Sequence, residues 1–430
     1  MKKYELDAIE TNLIKTLEIN PIGRNEELFD FMRFLDNVDG CVKISLDADW
    51  GDGKTFFVRQ SALLLKHLRD IEFGINSSNE NSNIMSNVVK DKISLNQTFI
   101  PVYYDAWLSD EHQDPILSLV YNLVVNGYVG NDETKKERLL KKASVFCESF
   151  LKLKGVNLDF EKLMDSSDEL NSIYSTEYNT RLLGRLCEEI IVENCDKLIF
   201  FVDELDRCKP DYAIKLLERV KHFFNDERII FVFSTNKAQL IHTIKNYYGA
   251  EFNATAYLNR FFEYQFTLEK INVDKYLNFI DNSRNPCLSC QYIVIAIGNY
   301  YKFSMREYNI YYSKFKTMGS LCTTKAYAIC FNVLAPIVWA LSLTNTTNGR
   351  EFTSGNLLSE LEKVLAEVIE LRNYAFKMMP FTKTDSEKLE VLYRLYTYMF
   401  TPDNGEHFTS PDFDVTSYDK QYILKKIRMA

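Results

Sequence analysis

The segment of residues 41–69, "CVKISLDADWGDGKTFFVRQSALLLKHLR", constrains the fold more than any other stretch of the chain. Its first eight residues alternate and include β-branched side chains, so they predict a short strand. "DWGDGK" is a glycine turn, and the residues that follow have apolar side chains at helical spacing. Strand, turn and helix in this order predict a βα unit whose turn lies at the carboxyl end of the strand.

Three further segments, "TFIPVYYDAW", "KLIFFVD" and "IIFVFST", also predict strands. The last two are continuous apolar runs, which are typical of a parallel sheet covered on both faces. Helical patterns separate the strands, with a helical insertion at about residues 108–194, and the chain turns mainly helical beyond Phe266. The predicted fold class is α/β, a parallel sheet sandwiched by helices and followed by a mainly helical C-terminal region.

Two stretches have less regular patterns. Residues 74–96 are rich in Asn and Ser, and we expect them to form a mobile surface loop. Residues 327–343 are apolar and nearly long enough to cross a bilayer. They contain Asn332 and Pro336 and have no basic cluster at either end, so a buried core helix is favoured over a membrane span.

The glycine turn has the residues of a phosphate-binding loop. Gly51, Asp52 and Gly53 let consecutive backbone N–H groups point at one place, to which the following helix adds its positive end. Lys54 would reach the β and γ oxygens of a nucleoside triphosphate, and Thr55 would place its hydroxyl on Mg²⁺. A glycine turn with an exposed lysine is the alternative. The predicted nucleotide contacts are Asp49, Trp50, Gly51, Asp52, Gly53, Lys54, Thr55 and Phe56.

A carboxylate pair follows the strand "LIFFV". Asp203 ends this strand, and a parallel sheet would deliver it to the same crevice as the glycine turn. It is the predicted Mg²⁺ carboxylate together with Thr55, and Glu204 would polarise an attacking water. A generic acidic pair at a strand end is the alternative.

Composition limits the partners and the compartment. The net charge of −9 argues against a protein whose main role is to coat nucleic-acid phosphates. The nine cysteines form no paired framework, and the N-terminus lacks a signal-peptide pattern. These features favour the reducing cytoplasm. Cys287 and Cys290 form a lone CxxC with no second pair at zinc spacing, so we predict no zinc site.

Several segments together resemble the KAP family of P-loop NTPases. "FFVDELDRCKPDYAIKLLERVKHFF" looks like the family's second motif, in which two acids after a strand are followed by Leu-Asp-Arg-Cys and a proline. "YYDAWLSDEHQDPILSLV" is similar to its Phe-Asn-Ala-Trp segment, and "ADWGDGKT" to its Trp-Gly-Ser-Gly-Lys-Thr loop. "YLNRFFEYQFTL" and "FSMREYNIY" follow in the family's order. The resemblance covers about residues 20–315.

The resemblance implies a STAND-like or AAA+-like ATPase that binds ATP and Mg²⁺. Its domains would be a P-loop core in residues 1–266, a helical lid in 267–350 and a C-terminal helical region in 351–430. Such proteins are often oligomers with shared sites, so a homo-oligomer is expected. Many family members insert two membrane-spanning helices between the first and second motifs, and this sequence has none that can be recognised there.

Further site residues follow from the same resemblance. Asn236 would be a polar sensor near the γ-phosphate, or a plain turn residue. Arg306 would be a lid arginine that contacts phosphate, or part of a surface ion pair. Arg260 would reach a neighbouring subunit as a finger, although the family more often has Lys there. Gly23 and Arg24 resemble a short box that lies against adenine, or they form a helix-entry turn. Arg207 would act as a finger or brace Asp206.

Two departures from the family pattern bear on the chemistry. Ala48 replaces the first glycine of the loop, which the wider P-loop pattern accepts because only the later glycines approach phosphate closely. Glu204 stands where many members have a second Asp, which keeps a carboxylate and extends its reach by one methylene.

Three functions remain open from the sequence. The first is an ATPase that switches the helical lid; by resemblance to prokaryotic KAP proteins linked to phage exclusion, it would act in antiviral defence with a separate protein effector. The second is a scaffold that holds ATP without meaningful turnover. The third, a DNA-translocating motor, would need a basic channel in an assembled ring, and nucleic acid is not the favoured partner.

Overall fold

The computed structural model describes residues 6–75, 79–112, 114–127, 133–153, 168–280, 288–319, 321–402 and 407–429. These residues belong to two compact units. The first unit spans Ala8–Lys270, and the second contains Ile271–Ala430. The predicted domain boundaries after residues 266 and 350 stay predictions.

A parallel sheet of five strands forms the first unit's centre, in the order β2-β3-β4-β1-β5. The strands are β1 Val42–Asp47, β2 Phe99–Asp105, β3 Lys197–Asp203, β4 Ile229–Thr235 and β5 Tyr264–Thr267. Strands β3 and β4 are buried along their whole length, which explains their continuous apolar sequences. Because β4 lies between β1 and β3, one strand separates the glycine loop from the carboxylate pair.

Ten helices of the described part of the first unit cover both faces of this sheet. Pro115 opens one of them, and the Asp114 carboxylate accepts from the N–H of Ile116 and so caps the first turn. The helices are α1 Glu10–Ile19, α2 Asn25–Asn37, α3 Lys54–Glu72, α4 Glu80–Val89, α5 Pro115–Gly127, α6 Glu133–Leu153, α7 Asp168–Asn194, α8 Pro210–Phe223, α9 Lys237–Tyr248 and α10 Ala254–Phe261.

Alternation along β3 divides the core into two layers. Phe200 and Val202 pack into a cluster with side chains of α5, α6, α7 and α8. Ile199 and Phe201 pack on the opposite side with side chains of α1, α2, α3 and α4. Successive residues of a strand point to opposite faces, so one strand contributes to both layers. This is the predicted α/β fold, with helices on both faces.

The prediction of a surface loop over residues 74–96 is wrong for α4. Asn79 caps this helix, since its side chain accepts from the N–H of Ser82 at 2.8 Å. Met85 and Val89 are buried in the layer that contains α3. The side-chain cap and two buried residues stabilise this helix, although its Asn- and Ser-rich composition predicts a loop.

The second unit is almost entirely helical, as predicted. Val368 separates two successive helices of this unit, because its backbone leaves the helical region. A short hairpin of β6 Phe408–Thr409 and β7 Asp414–Val415 precedes the last helix. The helices are α11 Val273–Ile280, α12 Leu288–Tyr300, α13 Met305–Gly319, α14 Lys325–Ile329, α15 Ala335–Thr344, α16 Thr346–Thr353, α17 Leu358–Glu367, α18 Ile369–Lys377, α19 Asp385–Phe400 and α20 Ser417–Met429.

The apolar run of residues 327–343 lies in a continuous helical stretch, Lys325–Thr344, with a π-helical turn at Cys330–Leu334. Among the described residues this is the single stretch long and apolar enough to cross a membrane. Within the second unit 83% of its most apolar window is buried. Trp339 is among its buried side chains and donates to the carbonyl of Ile427 at 3.2 Å. The structure thus packs this segment as a core helix.

Candidate nucleotide site

The parallel sheet brings three polar strand ends to one edge. Asp47 at the end of β1 pairs in register with Thr235 of β4, and Asp203 of β3 pairs with Ser234. Ligands of open parallel sheets bind at this carboxyl edge. The glycine loop of residues 48–53 and the carboxylates after β3 therefore share one edge of the sheet, as the sequence predicted.

The loop has the backbone that its glycines permit. Gly51 and Gly53 have φ of 91° and 84°, values that residues with a side chain adopt only with strain. Gly53 caps α3, so Lys54, Thr55 and Phe56 form the first turn of that helix. The amide N–H groups of this turn have no partner within the helix and are available to an anion.

The Lys54 side chain folds back over the start of the loop. Its Nζ donates to the carbonyls of Ala48 at 2.7 Å and Asp49 at 3.0 Å, and only 9% of the residue is exposed. Burial lowers the pKa of Lys54, while the negative charges of Asp206 and Asp203 oppose this shift. A lysine in this position neutralises negative charge on a bound phosphate.

Asp203 is held in one orientation by two hydrogen bonds. The hydroxyl of Tyr103 on β2 donates to its Oδ2 at 3.0 Å, and the N–H of Glu204 donates to its Oδ1 at 3.0 Å. The residue is 1% exposed. Tyr103 is itself placed by the guanidinium of Arg59, which lies 4.4 Å from its ring centroid. A carboxylate fixed in this way is a suitable ligand for a hard cation.

Glu204 follows in a left-handed conformation, with φ of 60°. Its carboxylate forms an ion pair with Arg207 at the end of the 3₁₀ turn Leu205–Arg207. Burial and the neighbouring charge of Asp203 raise the pKa of Glu204 to about 7, against the opposing effect of Arg207. A carboxyl group with such a pKa can accept a proton from water near neutral pH.

Two tryptophans flank Arg207. Its guanidinium lies 5.5 Å from the ring centroid of Trp107 and 6.0 Å from that of Trp50. The indole N–H of Trp50 donates to Asp206 Oδ2 at 2.5 Å, which links the glycine loop to the turn after β3. Asp206 Oδ1 is buried and has no hydrogen-bond partner within the described residues.

Asn236 lies between the start of α9 and the glycine loop. Its Oδ1 caps α9 by accepting from the N–H of Gln239 at 3.1 Å. Its Nδ2 donates to Asp49 Oδ1 in the glycine loop at 3.3 Å. The residue is therefore a turn asparagine that also contacts the loop, and its role as a sensor stays a prediction.

Gly23 and Arg24 lie at the entry to α2. Gly23 adopts a φ of 75° in the turn. Arg24 is 8% exposed and donates to the carbonyl of Asp52 at 2.7 Å. The structure thus places Arg24 against the glycine loop, and its contact with adenine stays a prediction.

The two remaining predicted arginines lie elsewhere. Arg260 is exposed near the end of α10, shortly before β5 begins at Tyr264. It therefore lies toward the amino end of the sheet, the edge opposite the glycine loop. Arg306 is in the first turn of α13 in the second unit. The structure does not bring Arg260 to its own loop, and the roles of both arginines stay predictions.

The sequence pattern alone does not identify Tyr103 as part of the site. The alternation along β2 puts Tyr103 and Asp105 on the same face, and this is the one signal that points to Tyr103. The CxxC of Cys287 and Cys290 lies outside the described side chains. Among the described residues no group of three or more His, Cys, Asp or Glu could hold a metal ion.

The strand order, the glycine loop before α3 and the carboxylates after β3 together define a P-loop NTPase fold. The chain matches the KAP family P-loop domain over residues 34–293, which is more than half of its length, and it belongs to that family. A search of curated proteins found no match to this chain.

Proposed function

We propose that this protein is a Mg²⁺-dependent ATPase that acts as a nucleotide-driven switch. The observation that carries the proposal is the convergence of Lys54, Asp203 and Glu204 at one edge of the sheet, where the charges of both acids act on the lysine. A cation and two carboxylates that are largely buried are suited to the transfer of a γ-phosphoryl group to water.

The residues divide the chemistry among them. Lys54 and the amides of the first turn of α3 bind the phosphates. Thr55 and Asp203 would hold Mg²⁺, and their hydroxyl and carboxylate oxygens are ligands that this ion prefers. When bound, Mg²⁺ would neutralise charge on the phosphate oxygens. Glu204 would orient a water molecule and accept its proton.

Oligomer formation and defence are further parts of the proposal. The exposed position of Arg260, on the edge away from its own loop, supports a role toward a neighbouring copy in a homo-oligomer. Arg306 on α13 would serve as the lid arginine of the helical second unit. Phage exclusion, an effector protein and a cytoplasmic location rest on the family resemblance and the composition. Phage plating on cells that express the gene and its neighbours, with Lys54→Ala as control, tests the defence role.

The central experiment compares wild-type protein with Glu204→Gln. We expect the variant to bind ATP and to hydrolyse it about a hundredfold or more slowly than wild-type protein does. Glu251→Gln, an exposed glutamate after α9, is the matched control and should hydrolyse ATP normally. If wild-type protein and the Glu204 variant both bind ATP and neither hydrolyses it, the protein is a nucleotide-gated scaffold. If both hydrolyse ATP at the same rate, Glu204 does not activate the water.

A further inference from the structure

Arg24 joins three segments of the first unit through one buried guanidinium. One terminal nitrogen donates to the carbonyl of Asp52 at 2.7 Å, and the other donates to the carbonyl of Glu269 at 2.5 Å. Nε lies 3.1 Å from Glu27 Oε2, one helical turn along α2. Arginine can serve all three acceptors at once because its donors form a rigid, planar fork.

Glu27 completes the arrangement. Its Oε1 accepts from the N–H of Glu269 at 2.7 Å, so Arg24 and Glu27 together hold both polar backbone atoms of that residue. Glu269 follows β5, close to the end of the first unit at Lys270. We call these two side chains the Arg24–Glu27 clip. The clip lies at the start of α2, holds the segment that follows β5 and contacts the glycine loop at Asp52.

The contact with Asp52 fixes the peptide that an anion would meet. The carbonyl of Asp52 and the N–H of Gly53 belong to the same peptide and point in opposite directions. A carbonyl held by Arg24 therefore directs the Gly53 N–H away from the Arg24 guanidinium. At the other end of the loop, Lys54 holds the carbonyls of Ala48 and Asp49. The loop is thus braced at its beginning and at its end.

We propose that Arg24 is a positioning residue for phosphate binding: it holds the Asp52–Gly53 peptide in the orientation that presents the Gly53 N–H to the nucleotide's phosphates. The proposal rests on the nucleotide site proposed above and specifies how that site is preorganised. A preformed loop avoids the cost of ordering its peptides when the ligand binds. An arginine that recognises adenine would instead act on the base and leave the loop unchanged.

A ligand that has phosphates but no adenine distinguishes positioning of the loop from recognition of adenine. ATP and inorganic tripolyphosphate are titrated into full-length wild-type protein and Arg24→Met by calorimetry. We expect both affinities to fall by the same factor, about ten- to hundredfold, because the variant disturbs the amides that bind phosphate. A loss confined to ATP, with tripolyphosphate affinity unchanged, would assign Arg24 to the base and overturn the proposal.

Three variants exclude a trivial loss of folding. Arg24→Lys keeps the charge, but its single nitrogen cannot reach the acceptors that contact three different nitrogens of Arg24, and we expect an intermediate loss of affinity for both ligands. Arg24→Met leaves the Glu27 carboxylate without its cationic partner, and adding Glu27→Gln removes that charge. The double variant should therefore have a higher free energy of unfolding than Arg24→Met, while its affinities for both ligands stay low. Arg33→Met, an exposed arginine on α2 that pairs with Asp30, should bind both ligands as wild type does.

The outcomes also distinguish the two proposals. If wild-type protein binds neither ATP nor tripolyphosphate, the proposed nucleotide function fails. If wild-type protein binds both ligands and the folded Arg24 variants bind them equally well, only the positioning role of Arg24 fails.

Discussion

The guanidinium of Arg207 is ion-paired with the carboxylate of Glu204 and lies 5.5 Å from the ring centroid of Trp107. Glu204 precedes the 3₁₀ turn that Arg207 ends, so one short segment carries both the proposed water-activating group and the cation that pairs with it. This relationship makes Arg207 a determinant of where the Glu204 carboxylate lies.

We expect Arg207→Met to lower kcat by about tenfold or more, because Glu204 loses the partner that fixes its side chain and small displacements of a catalytic group are costly. ATP affinity should change less than kcat does. Steady-state hydrolysis and ATP titration measure the two effects. Arg219→Met removes another ion pair, with Asp114, and should leave kcat unchanged. A normal kcat in the Arg207 variant would show that Glu204 needs no such restraint.

Trp50 offers a test of the link between the glycine loop and Asp206. Trp50→Phe removes the indole N–H and leaves Asp206, which is 7% exposed, without that donor. We expect the free energy of unfolding to fall by about 1–3 kcal/mol, the cost of an unsatisfied buried group. Urea denaturation measures this change. Trp107→Phe alters an indole that is half exposed, and it should cost less than about 0.5 kcal/mol.

Tyr103 is expected to control the response to Mg²⁺. Tyr103→Phe removes the hydroxyl that donates to Asp203, so the carboxylate is free to rotate. Outer-shell substitutions of this kind typically weaken metal affinity by about ten- to hundredfold, and we expect the Mg²⁺ concentration for half-maximal hydrolysis to rise accordingly. The matched control is Tyr104→Phe, the next residue of β2, whose hydroxyl pairs with Tyr212. It should leave the Mg²⁺ dependence unchanged.

The sheet, the glycine loop and the carboxylates after β3 could be predicted from the sequence, because each depends on a local sequence pattern. Continuous apolar runs identified β3 and β4, and glycines before Lys54 identified the loop. Since parallel strands end at one edge, Asp203 could be placed near the loop without knowledge of the register.

The contacts that orient these groups could not be predicted in the same way. Tyr103 reaches Asp203 because β2 pairs with β3 in a register that places Tyr103 beside Phe201, and this pairing depends on the whole sheet. Arg24 meets Glu269 across a separation of 245 residues. Hydrogen bonds between distant segments leave no period in the sequence.

The sequence analysis missed helix α4 for a different reason: the sequence features that indicate this helix are local, but they are weak. Its sequence is rich in Asn and Ser, which favour turns and caps over helix interiors. Asn79 uses this property, since its side chain accepts from the N–H of Ser82 and starts the helix. Two apolar residues, Met85 and Val89, then bury one face of the helix.

We expect Asn79→Ala to destabilise α4 by about 0.5–2 kcal/mol, the usual cost of losing a side-chain cap. Because the helix is short, this loss should appear first as local opening, and faster hydrogen exchange of the Glu80–Val89 amides measures it. Asn83→Ala replaces an exposed residue inside the same helix and should slow exchange slightly, since alanine favours helix. Equal exchange in wild-type protein and the Asn79 variant would show that Met85 and Val89 hold the helix without its cap.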